Sequence, residues 1–167
     1  MSRLGRITRR TLLVGSVAIA GGVAFGTWRV RTPYENPLLD DLAEGEASFN
    51  PWVKVTASGI TLIVPHADLG QGVASMQAAL IAEEMDLDFG QFDTDFGEPA
   101  PAYWNRAAGS TDVPFLSSDD GLAANATRGL MNAVFKLMGL QLTGGSSSVP
   151  DSWVKLREAG ATARETL

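Results

Sequence analysis

Two short stretches concentrate the groups able to hold a small molecule, Gly70-Gln71-Gly72 and Gly144-Gly145-Ser146-Ser147-Ser148. Each leads into a helical pattern, and a helix N-terminus offers unpaired backbone N–H groups and a positive dipole end that favour phosphate and other anions. Gln71 adds a primary amide, which donates and accepts at once and suits a heterocycle edge of mixed donors and acceptors. Neither stretch is a nucleotide motif. The first lacks the third glycine of a dinucleotide fingerprint, and Thr143-Gly144-Gly145-Ser146-Ser147-Ser148 lacks the lysine of a P-loop. The plainer alternative is that Gly70 and Gly72 only shape a strand-to-helix turn and Gln71 is solvated.

Other chemistry is thinly supplied. The 167 residues contain no cysteine and one histidine, His66, so a disulfide framework, a thiolate zinc site and a Cys-ligated iron–sulfur cluster are excluded within this polypeptide. His66 stands beside Pro65 at what reads as a strand end. It is a poor base for a Ser/His/Asp triad and is expected to be structural or rim-lining. Glu83 and Glu84 are neighbours on a helix, one expected in solvent and one at the helix edge. Tyr103-Trp104 reads as a loop anchor in the core, with a substrate-side or subunit-side aromatic pair as the alternative. No residue is assigned to a chemical step.

The elements that must position the two loops can be read from periodicity. Trp52–Thr56 and Ile60–Val64 are β-branched runs joined by Ala57-Ser58-Gly59, which predicts a hairpin with a three-residue loop. Val73 to Asp86 places Val73, Met76, Leu80, Ile81 and Met85 on one helical face. Gln91–Phe96 alternates as a half-buried strand and is expected beside the hairpin. After a loop over residues 97–118, Asp119 or Asp120 caps a predicted helix to Met138, with Leu122, Ala126, Leu130, Val134 and Met138 at i+4 spacing and Gly139 as its stop. Ser148-Val149-Pro150-Asp151 resembles a capping box opening a last helix, still running at Leu167. The expected fold class is α+β with an α/β-like strand–loop–helix unit, a small mixed sheet packed by helices. With 45% apolar residues the chain can bury one modest core.

Charge divides the chain. Residues 1–31 carry Arg3, Arg6, Arg9, Arg10, Arg29 and Arg31 and no acid, whereas the remainder holds seven basic and nineteen acidic residues. So acidic a body repels phosphate backbones, and nucleic-acid binding is not expected. Arg9-Arg10 stand before an apolar, small-residue run from Leu12 to Gly26, the layout of a twin-arginine export signal. Cleavage near Ala24-Phe25-Gly26 and an uncleaved anchor held by Trp28, Arg29 and Arg31 at a membrane interface both fit. The expected organisation is a signal or anchor helix over 1–31, a Pro- and acid-rich linker over 32–49, and a partial domain over 50–167. The expected location is the periplasm or the periplasmic face of the inner membrane.

His66-Ala67-Asp68-Leu69-Gly70-Gln71-Gly72-Val73, followed by Ala82-Glu83-Glu84-Met85-Asp86-Leu87-Asp88, resembles the cofactor-binding segment of the molybdenum hydroxylases, the xanthine dehydrogenase and aldehyde oxidase family. The leader, Phe49-Asn50-Pro51-Trp52-Val53 and Thr143 to Trp153 resemble the start of its exported isoquinoline 1-oxidoreductase beta-subunit branch. The resemblance implies hydroxylation of an N-heterocycle or aldehyde at molybdenum bound to molybdopterin, in its cytosine dinucleotide form, with oxygen drawn from water. It implies a molybdopterin-binding domain in which Gly70, Gln71 and Gly72 line the pterin and Gly144, Gly145, Ser146, Ser147 and Ser148 wrap it. The implied partners are the remainder of the large subunit, a small subunit with [2Fe–2S] clusters and a cytochrome electron acceptor.

Family large subunits are several times longer, and their later glycine-rich loop and late general-base glutamate have no counterpart here. The expectation is therefore a fragment or split piece that is inert alone. The runner-up is a non-enzymatic exported binding module, and the third reading is a decayed gene product without a stable fold.

Overall fold

The computed structural model describes residues 9–111 and 113–167, and for residues 9–13 only the backbone. Arg3 and Arg6 lie outside the described residues. The chain forms two units, residues 1–33 and 34–167. In the first, α1 (Arg9–Arg31) closes where Thr32 donates its N–H and its hydroxyl to the Trp28 carbonyl. Phe25 and Trp28, one turn apart, meet with rings tilted by 42° and centroids 5.6 Å apart. Among the described residues no helix is long and apolar enough to cross a membrane.

The second unit is an α+β arrangement around a four-stranded mixed sheet, ordered β1 (Ala47–Asn50), β2 (Val53–Thr56), β3 (Gly59–Ile63), β4 (Phe92–Asp95). β1–β2 and β2–β3 are antiparallel, and β3–β4 is parallel. The hairpin forms as expected with a shorter loop, because Thr56 pairs with Gly59 and leaves only Ala57-Ser58 between the strands. Gly59, at φ +146°, begins β3. β4 lies beside the hairpin strand β3 as its alternation predicts, reached through α2 (Val73–Glu84).

β1 corrects the reading of residues 32–49 as a linker throughout. Its last residues pair with β2, and a 3₁₀ turn at Pro37–Asp41 is capped by Asn36, whose carboxamide accepts from Leu38 N at 3.1 Å. Ala47-Ser48-Phe49-Asn50 holds no β-branched residue and follows directly on the acidic run, so the edge strand reads with the linker in sequence.

The sheet buries Val53, Leu62 and Val64 against Ala78, Ile81, Ala82 and Met85 of the α2 segment and Leu156 and Ala163 of α5 (Ser148–Thr166). Each fully buried Ile or Leu here contributes about 1.5–3 kcal/mol. Of the predicted α2 face, Val73, Ile81 and Met85 are buried while Met76 and Leu80 are half-buried. Behind the sheet, Tyr103 is buried, donates to Pro51 O at 2.9 Å and meets Trp52 edge-on. Burial, with Asp95 nearby, pushes its phenol up to about 12.

A single turn, α3 (Ala108–Thr111), precedes α4 (Leu122–Met138). Gly139, at φ +59°, ends α4 as expected. At its start Gly121 is the cap, and Asp119 instead accepts from Gly121 N at 2.8 Å. The i+4 stripe of α4 points outward, with Leu122 89% and Leu130 65% exposed.

Candidate functional site

The glycine stretches, more than seventy residues apart in sequence, face one cleft of about 500 Å³. Gln71, Thr143, Ser146 and Ser148 supply its polar groups, Gly72 and Gly144 bare backbone, and Val73, Met76 and Val149 an apolar wall. No titratable side chain lines it. Gly70, Gly145 and Ser147 do not reach the lining.

The first loop is closed by its own side chains. Asp68 accepts from Gly70 N at 2.8 Å and Ala74 N at 2.9 Å, and the N–H groups of Ala74 and Gly70 hold its carboxyl below the usual carboxylate range. Those donors were the expected anion cradle at the start of α2, and an internal carboxylate already occupies them. Gln71 Nε2 donates to Ala67 O at 2.8 Å while its Oε1 accepts from Leu69 N at 2.5 Å. One amide proton and one lone pair of Gln71 remain for the cleft. Gly70 and Gly72, at φ +97° and +78°, permit this tight path.

The second loop is held from beneath. Ser147 is 1% exposed, with its hydroxyl donating to Gly144 O at 2.6 Å and accepting from Asn105 Nδ2 at 2.8 Å, so its role is to brace the loop. Asn105, fully buried, also donates to Leu142 O and accepts from Ala108 N. The capping box does not form. Ser148 is the first residue of α5, and Asp151 turns inward to accept from Arg106 N at 2.7 Å and from Lys155 Nζ at 2.7–2.8 Å.

His66 ties the two loops together and is structural in the sense expected. It is 3% exposed, with Nδ1 3.0 Å from Ser148 Oγ and Nε2 3.3 Å from Asp151 Oδ2. The His66 backbone N–H donates to Gln77 Oε1 at 3.2 Å, and Gln77 Nε2 donates to Ser152 Oγ at 2.9 Å. Ala67 N reaches Thr143 Oγ1 at 2.9 Å, and Gln141 Nε2 reaches Pro65 O at 3.0 Å. Burial works against the Asp151 carboxylate, but the His66 hydrogen bond, the Lys155 ammonium and the Arg106 N–H outweigh it and hold the carboxyl below its ordinary range. Lys155 stays paired in spite of its own burial, since its ammonium meets both Asp151 oxygens and the Trp104 carbonyl within 2.9 Å.

Asn105, Gln77 and Gln141 were missed by sequence reasoning. Gln77 had a signal, a polar residue four positions from both Val73 and Ile81 on the buried face of α2. Asn105 and Gln141 lie in irregular segments where no period marks burial. Glu83 is exposed and Glu84 pairs with Arg157 at the edge of α2, as expected. Among the described residues no group of three or more His, Asp or Glu side chains is placed to hold a metal ion.

In sequence the chain is similar to parts of two oxidoreductases. The chain is 26% identical over 164 residues to the membrane-bound aldehyde dehydrogenase [pyrroloquinoline-quinone] of Gluconacetobacter polyoxogenes, which takes in 96% of this chain and 16% of that protein. It is 34% identical over 108 residues to isoquinoline 1-oxidoreductase subunit beta of Brevundimonas diminuta, 56% of this chain and 13% of that one. These matches bear out the resemblance to the molybdenum hydroxylase large subunits of isoquinoline 1-oxidoreductase type. The chain thus spans about one-sixth or less of the length of the curated relatives it matches. No protein-family model matches it, and neither does any solved structure.

Proposed function

We propose that this chain supplies one wall of the molybdopterin site of an oxidoreductase large subunit acting on N-heterocycles or aldehydes, and that it is inert without the rest of that site. The observation that carries the reading is the convergence of Gln71 and Gly72 with Thr143, Gly144, Ser146 and Ser148 on one cleft. The donor set fits a pterin: uncharged amide and hydroxyl groups for a heterocycle of mixed donors and acceptors, and Val73, Met76 and Val149 for its faces. When bound, the group supplies hydroxylation with oxygen drawn from water.

The residues of this chain bind and orient. Gln71 offers its spare amide proton and lone pair, while Asp68 closes the first loop and His66 ties it to the second. With no titratable side chain in the lining, proton transfer to substrate belongs to groups elsewhere in the assembly. The cytosine dinucleotide form, an iron–sulfur partner subunit and a cytochrome acceptor complete the proposal. Six arginines without an acid ahead of and behind an apolar run support export by the twin-arginine route, with the N-terminal segment as leader or anchor.

A quinone in the same cleft is the second reading, because one relative carries pyrroloquinoline quinone in its name. The test is gentle isolation of the native protein with its associated chains, followed by metal analysis and extraction of the cofactor. Molybdenum with a pterin in a complex with a larger chain supports the proposal. A quinone without molybdenum supports the second reading, and a solitary chain with neither leaves a binding module. Within such a complex, Gln71→Ala is expected to lower molybdenum occupancy or turnover by roughly tenfold, the loss of one hydrogen bond of about 1.4 kcal/mol.

A further inference from the structure

Ser148 is the one cleft-lining side chain whose hydroxyl is held by the His66 ring at 3.0 Å, the next nearest being Thr143 Oγ1 at 3.4 Å. What that hydroxyl offers a ligand depends on where the ring carries its proton. Asp151 decides it. Its carboxylate accepts from Lys155 Nζ, from Arg106 N and, across 3.3 Å, from His66 Nε2, so it acts as an acceptor throughout. A neutral imidazole has one N–H, and facing a carboxylate that N–H belongs on Nε2. Nδ1 is then bare and accepts. Thr143 Oγ1 accepts from Ala67 N and keeps its own proton, but it stands 3.4 Å from Nδ1 against 3.0 Å for Ser148, so the shorter contact gives the Nδ1 lone pair to the single proton of Ser148.

We propose that Asp151 and His66 lock the Ser148 hydroxyl as a hydrogen-bond acceptor toward the cleft, so that the ligand group opposite it is an N–H or O–H donor, not a phosphate oxygen. This rests on the cofactor reading above and refines it, since it assigns the ring edge of the ligand to Ser148 and its anionic part elsewhere. The lock reverses with protonation. A cationic ring carries N–H on both nitrogens, donates to Ser148 Oγ from Nδ1 and frees the serine proton for the cleft. The groups facing the ring are Asp151 and Ser148 of α5, Thr143 of the preceding loop and Gln77 of α2, the last bonded to the His66 backbone. Lys155 and the Arg106 N–H act through Asp151.

His66 is the single histidine of the chain, so the imidazole nitrogen signals of the uniformly ¹⁵N-labelled full-length protein, distinct from those of the four indoles, belong to it alone. For the neutral ring the expected state is the Nε2–H tautomer with Nδ1 bare. The Nδ1–H tautomer overturns the proposal. Binding is then measured with two probes, a free pterin and inorganic phosphate. At about pH 8, Ser148→Ala is expected to weaken the pterin roughly three- to tenfold and to leave phosphate within about twofold, with Ser148→Thr restoring the pterin. Equal losses for both probes, or a larger loss for phosphate at about pH 8, overturn the proposal. If the unaltered protein binds neither probe, the cofactor reading of the cleft fails, and the tautomer still decides whether the lock exists.

Discussion

Asp151 carries more of the site than any residue that touches the cleft. It anchors Arg106 N and Lys155 on one side and His66 on the other, and through His66 it reaches Ser148 and the segment leading to Gln71. Because its folded carboxyl sits below the ordinary value, it contributes stability that is complete above the unfolded value of about 4 and is lost as pH falls through the lower folded one. Asp151→Asn is expected to cost about 3 kcal/mol near neutral pH, as Lys155 loses its buried partner. It should also flatten the loss of stability below about pH 4 that the unaltered protein shows. Urea unfolding across the acid range reads both effects, and parallel acid limbs in the two proteins would remove Asp151 from this role. The identity of Asp151 was plain in the sequence, but as part of a capping box. Lys155, four residues on along α5, is a local partner, but that the carboxylate turns from the helix end toward His66 depends on Arg106 N and His66 arriving from distant segments, which no local pattern reports.

At the scale of elements, the contact that brings the loops together is the crossing of α2 and α5. Gly160 sits at the point of closest approach, where an added Cβ would collide with the Ile81 carbonyl oxygen and press on Glu84. Alanine ordinarily favours a helix by about 1 kcal/mol, yet here backbone blocks it. Gly160→Ala is expected to destabilise by about 1–3 kcal/mol, visible as a lowered thermal midpoint; an unchanged or raised midpoint would show that the crossing has slack. The pair Arg164–Asp86 ties the far end of the same crossing. α4 behaves oppositely. Leu130→Gln on its outward stripe is expected to change stability by less than about 0.5 kcal/mol, whereas Ile81→Ala in the core should cost about 2–5 kcal/mol, both read from denaturant midpoints. The extent and Gly139 stop of α4 could be read from the residues. Its stripe was legible as a face, though not as one turned away from this core.

At the scale of the molecule, the sheet, α2 and α5 share one cluster of buried residues, from Val53 and Leu62 through Ile81 to Leu156 and Ala163. The unit over residues 34–167 is expected to unfold in a single transition, with calorimetric and van't Hoff enthalpies equal, and separate transitions would argue against a shared core. Such cooperativity would also set aside the reading of a decayed chain without a stable fold. The sequence by itself determined the hairpin, the strand–loop–helix unit, the existence of α2, α4 and α5, the acidic body and the two glycine stretches. Each is written in periodicity, turn chemistry or composition within a few residues. Tertiary structure alone decided that the two stretches share a cleft. It alone turned Ser147 inward and linked Ser148, His66 and Asp151. Those outcomes depend on hydrogen bonds between residues forty to eighty-five positions apart, whose geometry is set by helix crossing and core packing and leaves no trace in local residue spacing.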